Sequence, residues 1–235
     1  MSRGLLDARL SACAELVRQG AVFADVGTDH AYLPIFLLSA GRIERAVLSD
    51  INEGPLLSAK ENVEAHGFSD KVELVLTDGA TELTKRGITD YAVCGMGGEL
   101  IADIVASAPH LRDPDIRLIL QPMTRQEALR TYLYSAGYEI LSERYAEADG
   151  RFYLCMHVAY SGEMRELGAV EAMLGVSPIE GGHEGYLGYL RQKAASISAA
   201  TAGRCAGGLD VADDTLVLRA IEKRIELISE QQTSV

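Results

Sequence analysis

The chain has 235 residues, of which 48% are hydrophobic and 24% are charged, and this balance excludes a disordered chain, a collagen-like repeat and a small disulfide-stapled scaffold. The 22 basic and 34 acidic residues give a formal net charge of -12, which argues against a protein that coats nucleic acid or an anionic membrane by bulk charge. The four cysteines lie far apart and form no close pairs, so neither a metal site nor a thioredoxin-like motif is predicted.

The N-terminal stretch lacks the pattern of a signal peptide. Charged residues interrupt what would have to be its apolar region, among them Asp7, Glu15 and Arg18. No apolar run approaches the length needed to cross a membrane. We therefore expect a cytoplasmic protein with no membrane partner, whose cysteines are reduced thiols.

The first two thirds of the chain alternate between strand and helix patterns. An amphipathic helix comes first, because Leu6, Leu10, Cys13 and Val17 recur at helical spacing, and Gly20 ends it. Apolar runs then predict five short strands, over residues 21–26, 46–49, 72–76, 91–94 and 117–120. Helices are predicted between or after them, over residues 32–39, 55–66, 99–107 and 126–136. This alternation predicts an α/β fold with a parallel, doubly wound, Rossmann-like sheet.

The pattern changes after the fifth strand. Two strand-like runs, 138–144 and 152–160, flank a turn-rich sequence and predict an antiparallel hairpin at the edge of the sheet. Strand signals stop at Gly162, and residues 177–185 have the composition of a hinge or loop.

Two further apolar repeats follow in the C-terminal region. Both have helical spacing and are separated by glycines; they are Leu187, Leu190, Ala194 and Ile197, then Leu218, Ile221, Ile225 and Ile228. They predict a C-terminal helical hairpin of the coiled-coil type. The sequence thus predicts two domains, residues 1–161 and residues 162–235.

Ligands of doubly wound sheets bind beyond the carboxyl ends of the strands, so the loop after the first strand is the first candidate site. A dinucleotide fingerprint would place glycines at 27, 29 and 32, where this chain has Gly27, Asp29 and Tyr32. A pyrophosphate at the next helix N-terminus would meet the carboxylate of Asp29, which is repulsive. The loop therefore favours a cofactor with a neutral or cationic centre, such as S-adenosylmethionine, over a nicotinamide dinucleotide.

Polar residues and glycines also follow the next three strands. Asp50 can accept both hydroxyls of a ribose, and Asp78 can accept from an adenine amino group. The glycines of residues 95–98 allow close backbone approach to a ligand. In chain order, these features are typical of a class I methyltransferase.

Four segments make the chain similar to a known family. They are residues 23–34 (FADVGTDHAYLP), 50–51 (DI), 95–98 (GMGG) and 120–122 (LQP). With these motifs the chain resembles the bacterial tRNA (adenine-22-N1)-methyltransferases (TrmK-like), over about the first two thirds of its length; Ser49 replaces the alanine expected before Asp50. The resemblance implies S-adenosylmethionine as methyl donor and N1 of an adenine in the D-arm of tRNA, at position 22, as acceptor.

The resemblance and the strand-end positions together assign candidate roles. Asp29 would stabilise the positive charge that develops on the methylated ring or contact the adenine amino group. His30 would orient the base or the cofactor carboxylate, and Tyr32 would stack on the base. The candidate cofactor-binding residues are Asp25, Gly27, Thr28, Asp50, Ile51, Asp78, Gly79, Gly95, Met96 and Gly97. The candidate substrate-binding residues are Arg3, Arg9, Gln121, Pro122 and Arg125.

Several alternatives remain open at this point. Asp29 can instead cap the following helix, and Gln121 with Pro122 can simply end the fifth strand. The function can also be methyl transfer to a small molecule, RNA binding without catalysis, or nicotinamide-dependent oxidoreduction. Further basic residues, including Arg18, Arg130 and Lys193, are candidates for local RNA contact or for ordinary surface charge. We expect a monomer or a weak homodimer that binds tRNA.

Overall fold

The structure is a computed structural model that describes residues 6–207 and 209–233. The α-helices are α1 (Ala8–Leu16), α2 (Tyr32–Ser39), α3 (Glu53–Ala65), α4 (Gly98–Ser107), α5 (Gln126–Ser135), α6 (Ala169–Leu174), α7 (His183–Ala206) and α8 (Ala212–Thr233). The strands are β1 (Ala21–Val26), β2 (Ile43–Asp50), β3 (Val72–Leu76), β4 (Asp90–Gly97), β5 (Arg117–Thr124), β6 (Tyr138–Ala148), β7 (Arg151–Tyr160) and β8 (Ile179–Glu180).

The strands form one sheet in the order β3-β2-β1-β4-β5-β7-β6-β8. The first five strands run parallel, and β7 pairs antiparallel with both β5 and β6. The chain order reverses between β1 and β4, which makes this the switch point beside which ligands of doubly wound sheets bind. The predicted Rossmann-like α/β sheet with an antiparallel hairpin is confirmed.

Helices cover both faces of the sheet. On one face, α1, α2 and α3 bury Cys13, Ile35 and Ala59 in a core that includes Phe23 of β1. On the other face, α4 and α5 pack in a second core with the two C-terminal helices. Strands buried on both faces are continuously apolar, which is why β1, β4 and β5 could be recognised from sequence as short hydrophobic runs.

The outer edge of the sheet differs from the expectation. Residues 177–185, expected to be a hinge or loop, contain β8, which pairs parallel with β6 through Glu143 and Ile179. The hairpin therefore does not form the edge, because β8 lies beyond it. A strand of two residues carries no alternation from which it can be recognised.

The predicted C-terminal helical hairpin is present as α7 and α8. Leu190 and Ile221 of the predicted apolar repeats are fully buried. A Cβ at Gly188 would lie 2.2 Å from the ring of Phe152, so this glycine allows α7 to approach the β6–β7 hairpin closely. The division into domains at residues 161 and 162 stays a prediction. None of the described helices is long and apolar enough to span a membrane.

Candidate active site

A cavity of about 610 Å³ opens at the carboxyl ends of β1 and β4, beside the switch point. Three parts of the chain enclose it: the start of α1, the loop between β1 and α2, and the end of β4. The lining residues are Asp7, Arg9, Leu10, Asp25, Gly27, Thr28, Asp29, His30, Ala31, Tyr32, Leu33, Cys94, Gly95 and Met96. Six predicted cofactor and catalytic residues from β1, the β1–α2 loop and the start of α2 thus come together with two from β4, Gly95 and Met96.

The turn after β1 depends on Gly27. Its φ of +77° lies in the left-handed region, which glycine adopts without a steric penalty. Its N–H donates to the carbonyl of Ser49 at 2.8 Å, which holds the turn against the end of β2. A Cβ at this position would lie 2.0 Å from Cε of Met96, so the glycine also leaves room for the methionine that lines the cavity.

The inner end of the cavity carries a buried carboxylate. Asp25 lies on β1 and is only 8% exposed. Burial raises the pKa of this carboxyl from 3.8 to about 6, because the charged form loses its hydration. Asp7 and Asp29 add two further acidic groups to the lining, against the single guanidinium of Arg9 among the described lining residues. The cavity is therefore suited to a ligand with a cationic centre.

Arg9 reaches the cavity from α1 and is held there by Gln121. Its Nη1 donates to Oε1 of Gln121 at 2.7 Å, and the same oxygen accepts from the N–H of Gly95 at 3.1 Å. Asp7 caps α1 by accepting from the N–H of Leu10 at 2.7 Å. Gln121 is fully buried, so its side chain joins α1 to the β4–α4 loop.

The outer part of the cavity is formed by exposed side chains. Asp29 and His30 have side chains that are 75% and 43% exposed, and Oδ2 of Asp29 lies 3.3 Å from Nε2 of His30. The rings of His30 and Tyr32 are 5.2 Å apart. The N-cap of α2 is Ala31 in the left-handed conformation, with no side-chain hydrogen bond to the cap, so Asp29 does not cap this helix.

The candidates after β2 and β3 lie outside the cavity lining but at the same edge of the sheet. The carbonyl of Asp50 accepts from the N–H of Thr77 at 3.0 Å, which links the ends of these two strands. Oδ1 of Asp50 accepts from the N–H of Asn52 at 2.8 Å. Ile51 is 63% exposed. Asp78 and Gly79 follow β3 after Thr77, and Gly79 has a φ of +65°.

The loops after β4 and β5 pack tightly against each other. Met96 and Pro122 are register partners, as are Gly97 and Thr124. A Cβ at Gly98 would lie 2.3 Å from the carbonyl oxygen of Arg125, so only glycine permits this approach. This requirement for Gly98 was not recognised from sequence, because it depends on where another loop lies.

Arg125 stands at the start of α5 with a φ of +55°. Its guanidinium lies 3.0 Å from a carboxylate oxygen of Glu99 and 3.5 Å from one of Glu127, and its side chain is 57% exposed. It is a solvent-facing cation near the outer end of β5. Arg3, which was also predicted to bind the substrate, lies outside the described residues.

The three further basic candidates, Arg18, Arg130 and Lys193, are paired with other side chains within the fold. Arg130 is fully buried, where its Nε donates to Glu143 at 2.6 Å, and Arg18 forms an ion pair with Asp90 at 2.8 Å. Lys193 of α7 donates to Oε1 of Gln126 at 2.6 Å. These pairs join elements of the fold, which favours a structural role over RNA contact.

Five lining residues were not among the predicted site residues: Asp7, Leu10, Ala31, Leu33 and Cys94. Asp7 and Leu10 lie at the N-terminus of α1 beside Arg9, whose prediction as a substrate-binding residue was the signal that could have included them. Cys94 was set aside because it has no cysteine nearby in sequence, yet its Sγ lies 3.7 Å from that of Cys13. Within residues 6–207 and 209–233, no cluster of His, Cys, Asp or Glu is arranged to hold a metal ion.

The residues that line the cavity fit S-adenosylmethionine, whose methyl-bearing sulfur and amino group are cationic. The cavity offers buried and exposed carboxylates to such charges, and a glycine turn that leaves room for close approach. A pyrophosphate would instead face Asp25 and Asp29. The lining therefore favours this cofactor over a dinucleotide.

Comparisons with known proteins agree with this site. Residues 6–156 match the methyltransferase domain family. Over 159 residues, the chain is 38% identical to the tRNA (adenine(22)-N(1))-methyltransferase of Bacillus subtilis, and the matched part is 67% of this chain and 66% of that protein.

Solved structures extend the likeness to almost the whole chain. A candidate tRNA (m1A22) methyltransferase of Streptococcus pneumoniae, in complex with S-adenosyl-L-methionine, superimposes with a TM-score of 0.77 at 32% identity, over 92% of this chain and 98% of that one. The Bacillus subtilis tRNA methyltransferase TrmK gives a TM-score of 0.71 at 27% identity, over 96% and 97% of the two chains. Because the family match spans more than half of its length, the chain belongs to the methyltransferase domain family, and its resemblance to the TrmK-like class I members is confirmed.

Proposed function

We propose that this protein transfers the methyl group of S-adenosylmethionine to N1 of an adenine in tRNA, at position 22 in the D-arm. The observation that carries the proposal is the acidic, glycine-lined cavity at the switch point, in a chain of the methyltransferase domain family. The name of the Bacillus subtilis relative supports the substrate and the modified position.

The cofactor would be held between the glycine turns after β1 and β4. Gly27, Thr28, Gly95 and Met96 line the space, and Asp25 would face a cationic group from its buried position. Asp50, Ile51, Asp78, Gly79 and Gly97 remain proposed cofactor residues at neighbouring strand ends. When bound, S-adenosylmethionine supplies an electrophilic methyl group.

The exposed side chains at the cavity mouth would act on the acceptor. N1 of neutral adenine carries a lone pair, so the site needs no general base to remove a proton from it before attack. Asp29 would stabilise the positive charge that the ring acquires, and a base would stack on the adjacent rings of His30 and Tyr32. Rate acceleration then comes mainly from positioning.

The tRNA would approach from the open side of the cavity. Arg9 and Arg125 are the described candidates for contact with its phosphates, and Pro122, the register partner of Met96, remains a proposed substrate residue. Gln121 would serve the substrate by holding Arg9 in place, and the cofactor by accepting from the N–H of Gly95. This role predicts a cytoplasmic protein, acting as a monomer or a weak homodimer.

The test uses radiolabelled S-adenosylmethionine, unmodified tRNA transcripts and nucleoside analysis of the product. We expect N1-methyladenosine in tRNA, lost when the adenine at position 22 is replaced. Asp29→Ala should lower the turnover number by about tenfold or more while calorimetry shows unchanged cofactor binding. His66→Ala is the matched control, because this exposed histidine lies at the end of α3.

Each other result would exclude part of the proposal. Label transferred to small metabolites but not to tRNA would leave a methyltransferase with a different acceptor. Binding of tRNA without transfer would indicate an RNA-binding protein that retains the fold. Failure to bind the cofactor in calorimetry would exclude the whole proposal.

A further inference from the structure

Three of the four cysteines meet at the base of the cavity, although they lie on three distant elements. Cys13 of α1 contacts Cys155 of β7 at 3.2 Å and Cys94 of β4 at 3.7 Å, measured between sulfur atoms. Sγ of Cys155 in turn lies 3.6 Å from the carbonyl oxygen of Arg9. The thiols thus form a chain of contacts with Cys13 in the centre.

The three sulfurs differ in their access to solvent. Cys13 and Cys155 are fully buried, whereas Cys94 is partly exposed and lines the cavity. A small solute that enters the cavity therefore reaches Cys94 first. Packing alone accounts for buried cysteines as small apolar residues, but it does not require three of them to touch in sequence from the cavity inward.

We propose that Cys94 is an oxidation site for hydroperoxides and that the thiol chain passes the oxidation inward to leave a disulfide between Cys13 and Cys155. The sulfur of Cys94 attacks the peroxide, whose O–O bond breaks to release an alcohol, or water from hydrogen peroxide, and Cys94 becomes a sulfenic acid. The thiol of Cys13 displaces water from it and forms a Cys13–Cys94 disulfide. Cys155 then attacks Cys13, and Cys94 leaves as a thiol.

Taken together, these reaction steps consume one hydroperoxide and two thiols and form one disulfide, one alcohol and one water. The central position of Cys13 meets the requirement of the exchange step, since Cys155 must reach the same sulfur that Cys94 leaves. The hydrogen bond with Cys155, together with burial, raises the pKa of Cys13, although the contact with Cys94 lowers it. The hydrogen bond with Cys13, together with burial, raises the pKa of Cys94. We therefore expect oxidation to accelerate as the pH rises from 7 to 9, as the thiolate fraction grows.

Oxidation and cofactor binding should compete, and this part rests on the proposed function. Cys94 lies next to Gly95 in the cavity wall, so a bound cofactor would exclude peroxide from its sulfur. The disulfide would also attach α1 covalently to β7, one helical turn from Arg9. The cofactor-free protein is then the form that is sensitive to oxidants.

The test treats the full chain carrying Cys205→Ser with hydrogen peroxide and maps disulfides by peptide mass spectrometry. This substitution removes the exposed fourth cysteine, which could link two copies. When Cys13, Cys94 and Cys155 are all present, we expect a Cys13–Cys155 disulfide. Cys94→Ala should slow its formation by about tenfold or more. Cys155→Ala should stop the sequence at a Cys13–Cys94 disulfide, and circular dichroism checks that each variant is folded.

Two results would overturn the proposal: oxidation of the folded protein that ends as sulfinic acid on Cys94 with no disulfide, or equal rates with and without the Cys94 thiol. Saturating S-adenosylhomocysteine should protect Cys94 without preventing oxidation after denaturation. If calorimetry shows that this compound does not bind, the proposed function fails while the disulfide mapping still decides the thiol chemistry. If it binds but does not protect, the competition between oxidation and cofactor binding is wrong.

Discussion

The inner wall and the rim of the cavity are built in opposite ways. The inner wall, defined here as Asp25 and Gly27 of the lining together with Gln121 behind it, consists mainly of buried groups held by hydrogen bonds or by close packing. The rim, defined as Asp29, His30 and Tyr32 of the lining together with Arg125 outside it, consists of side chains that are between 41% and 75% exposed. Both parts adjoin the same sheet edge, so strand position alone does not distinguish them.

This difference indicates that the inner wall and the rim have different functions. A residue whose polar atoms are already paired inside the fold shapes the cavity, whereas an exposed polar residue can exchange water for a ligand. We therefore expect changes in the inner wall to alter cofactor affinity, and changes in the rim to alter turnover or tRNA affinity at unchanged cofactor affinity. Four substitutions test this division, beginning with the largest expected effect.

Gly27→Ala should weaken cofactor binding by about a hundredfold or more, because its Cβ would displace the tip of Met96 and its backbone has a φ of +77°. The matched control is Gly20→Ala, since Gly20 has a φ of +75° and no atom within 4 Å of an added Cβ. Both variants should lose about 1–2 kcal/mol of stability from the left-handed backbone. Calorimetry with S-adenosylhomocysteine separates them; equal loss of affinity in both would show that strain, and not cavity shape, is responsible.

Asp25→Asn should raise the stability of the protein and lower its affinity for the cofactor. The raised pKa of about 6 means that the contribution of Asp25 to folding is fully present below about pH 4 and is lost as the pH rises through 6. At pH 7.5 the variant should therefore be more stable than the wild type by up to about 3 kcal/mol, with little difference between them at pH 4.

The affinity of Asp25→Asn for the cationic cofactor should change in the opposite sense. Wild-type affinity should fall as the pH drops below about 6, whereas the affinity of the variant should be lower and nearly independent of pH between 5 and 7.5. Thermal unfolding and calorimetry across this range measure both effects. A variant that is less stable than the wild type at pH 7.5 would contradict the assignment of Asp25 as a carboxylate whose charged form is destabilised by burial.

Gln121→Leu should raise the dissociation constant of the cofactor by about tenfold, because it removes the acceptor of both Arg9 and the Gly95 N–H. Gln126→Leu is the matched control, since this buried glutamine bonds to the Pro122 and Met123 carbonyls and to Lys193 outside the cavity lining. We expect the control to lose stability without a change in cofactor affinity. Partial rescue by Gln121→Glu, which retains the acceptor for Arg9, would distinguish positioning from simple packing.

Arg125→Ala should have the smallest effect, raising the KM for tRNA by about two- to fivefold and lowering the slope of affinity against salt by about one. Its guanidinium is exposed but already paired with Glu99 and Glu127, so only part of its charge is available to a phosphate. Arg86→Ala, which breaks a similar pair with Glu73, is the control. A change in cofactor affinity in Arg125→Ala would break the division between rim and inner wall.

Sequence reasoning was most successful where the signal is local. The strands β1 and β3 and the helix α2 lie at their predicted residues, because each is an apolar run bounded by turn residues. The loop after β1 was placed at the cavity for the same reason. Sequence reasoning failed at β8. This strand has only two residues, and they form a strand because they pair with β6.

The sequence by itself determined the order of strands and helices, the acidic and glycine-rich ends of the strands, and the resemblance to a methyltransferase family. These depend on short-range periodicity and on residue types that only a few turns accept. Tertiary structure alone decided which polar residues are buried and which face solvent. It packed α1 over the sheet, so that Arg9 meets Gln121 and three distant cysteines touch. Contacts between elements more than 80 residues apart leave no local pattern in a single chain, which is why only the folded molecule reveals them.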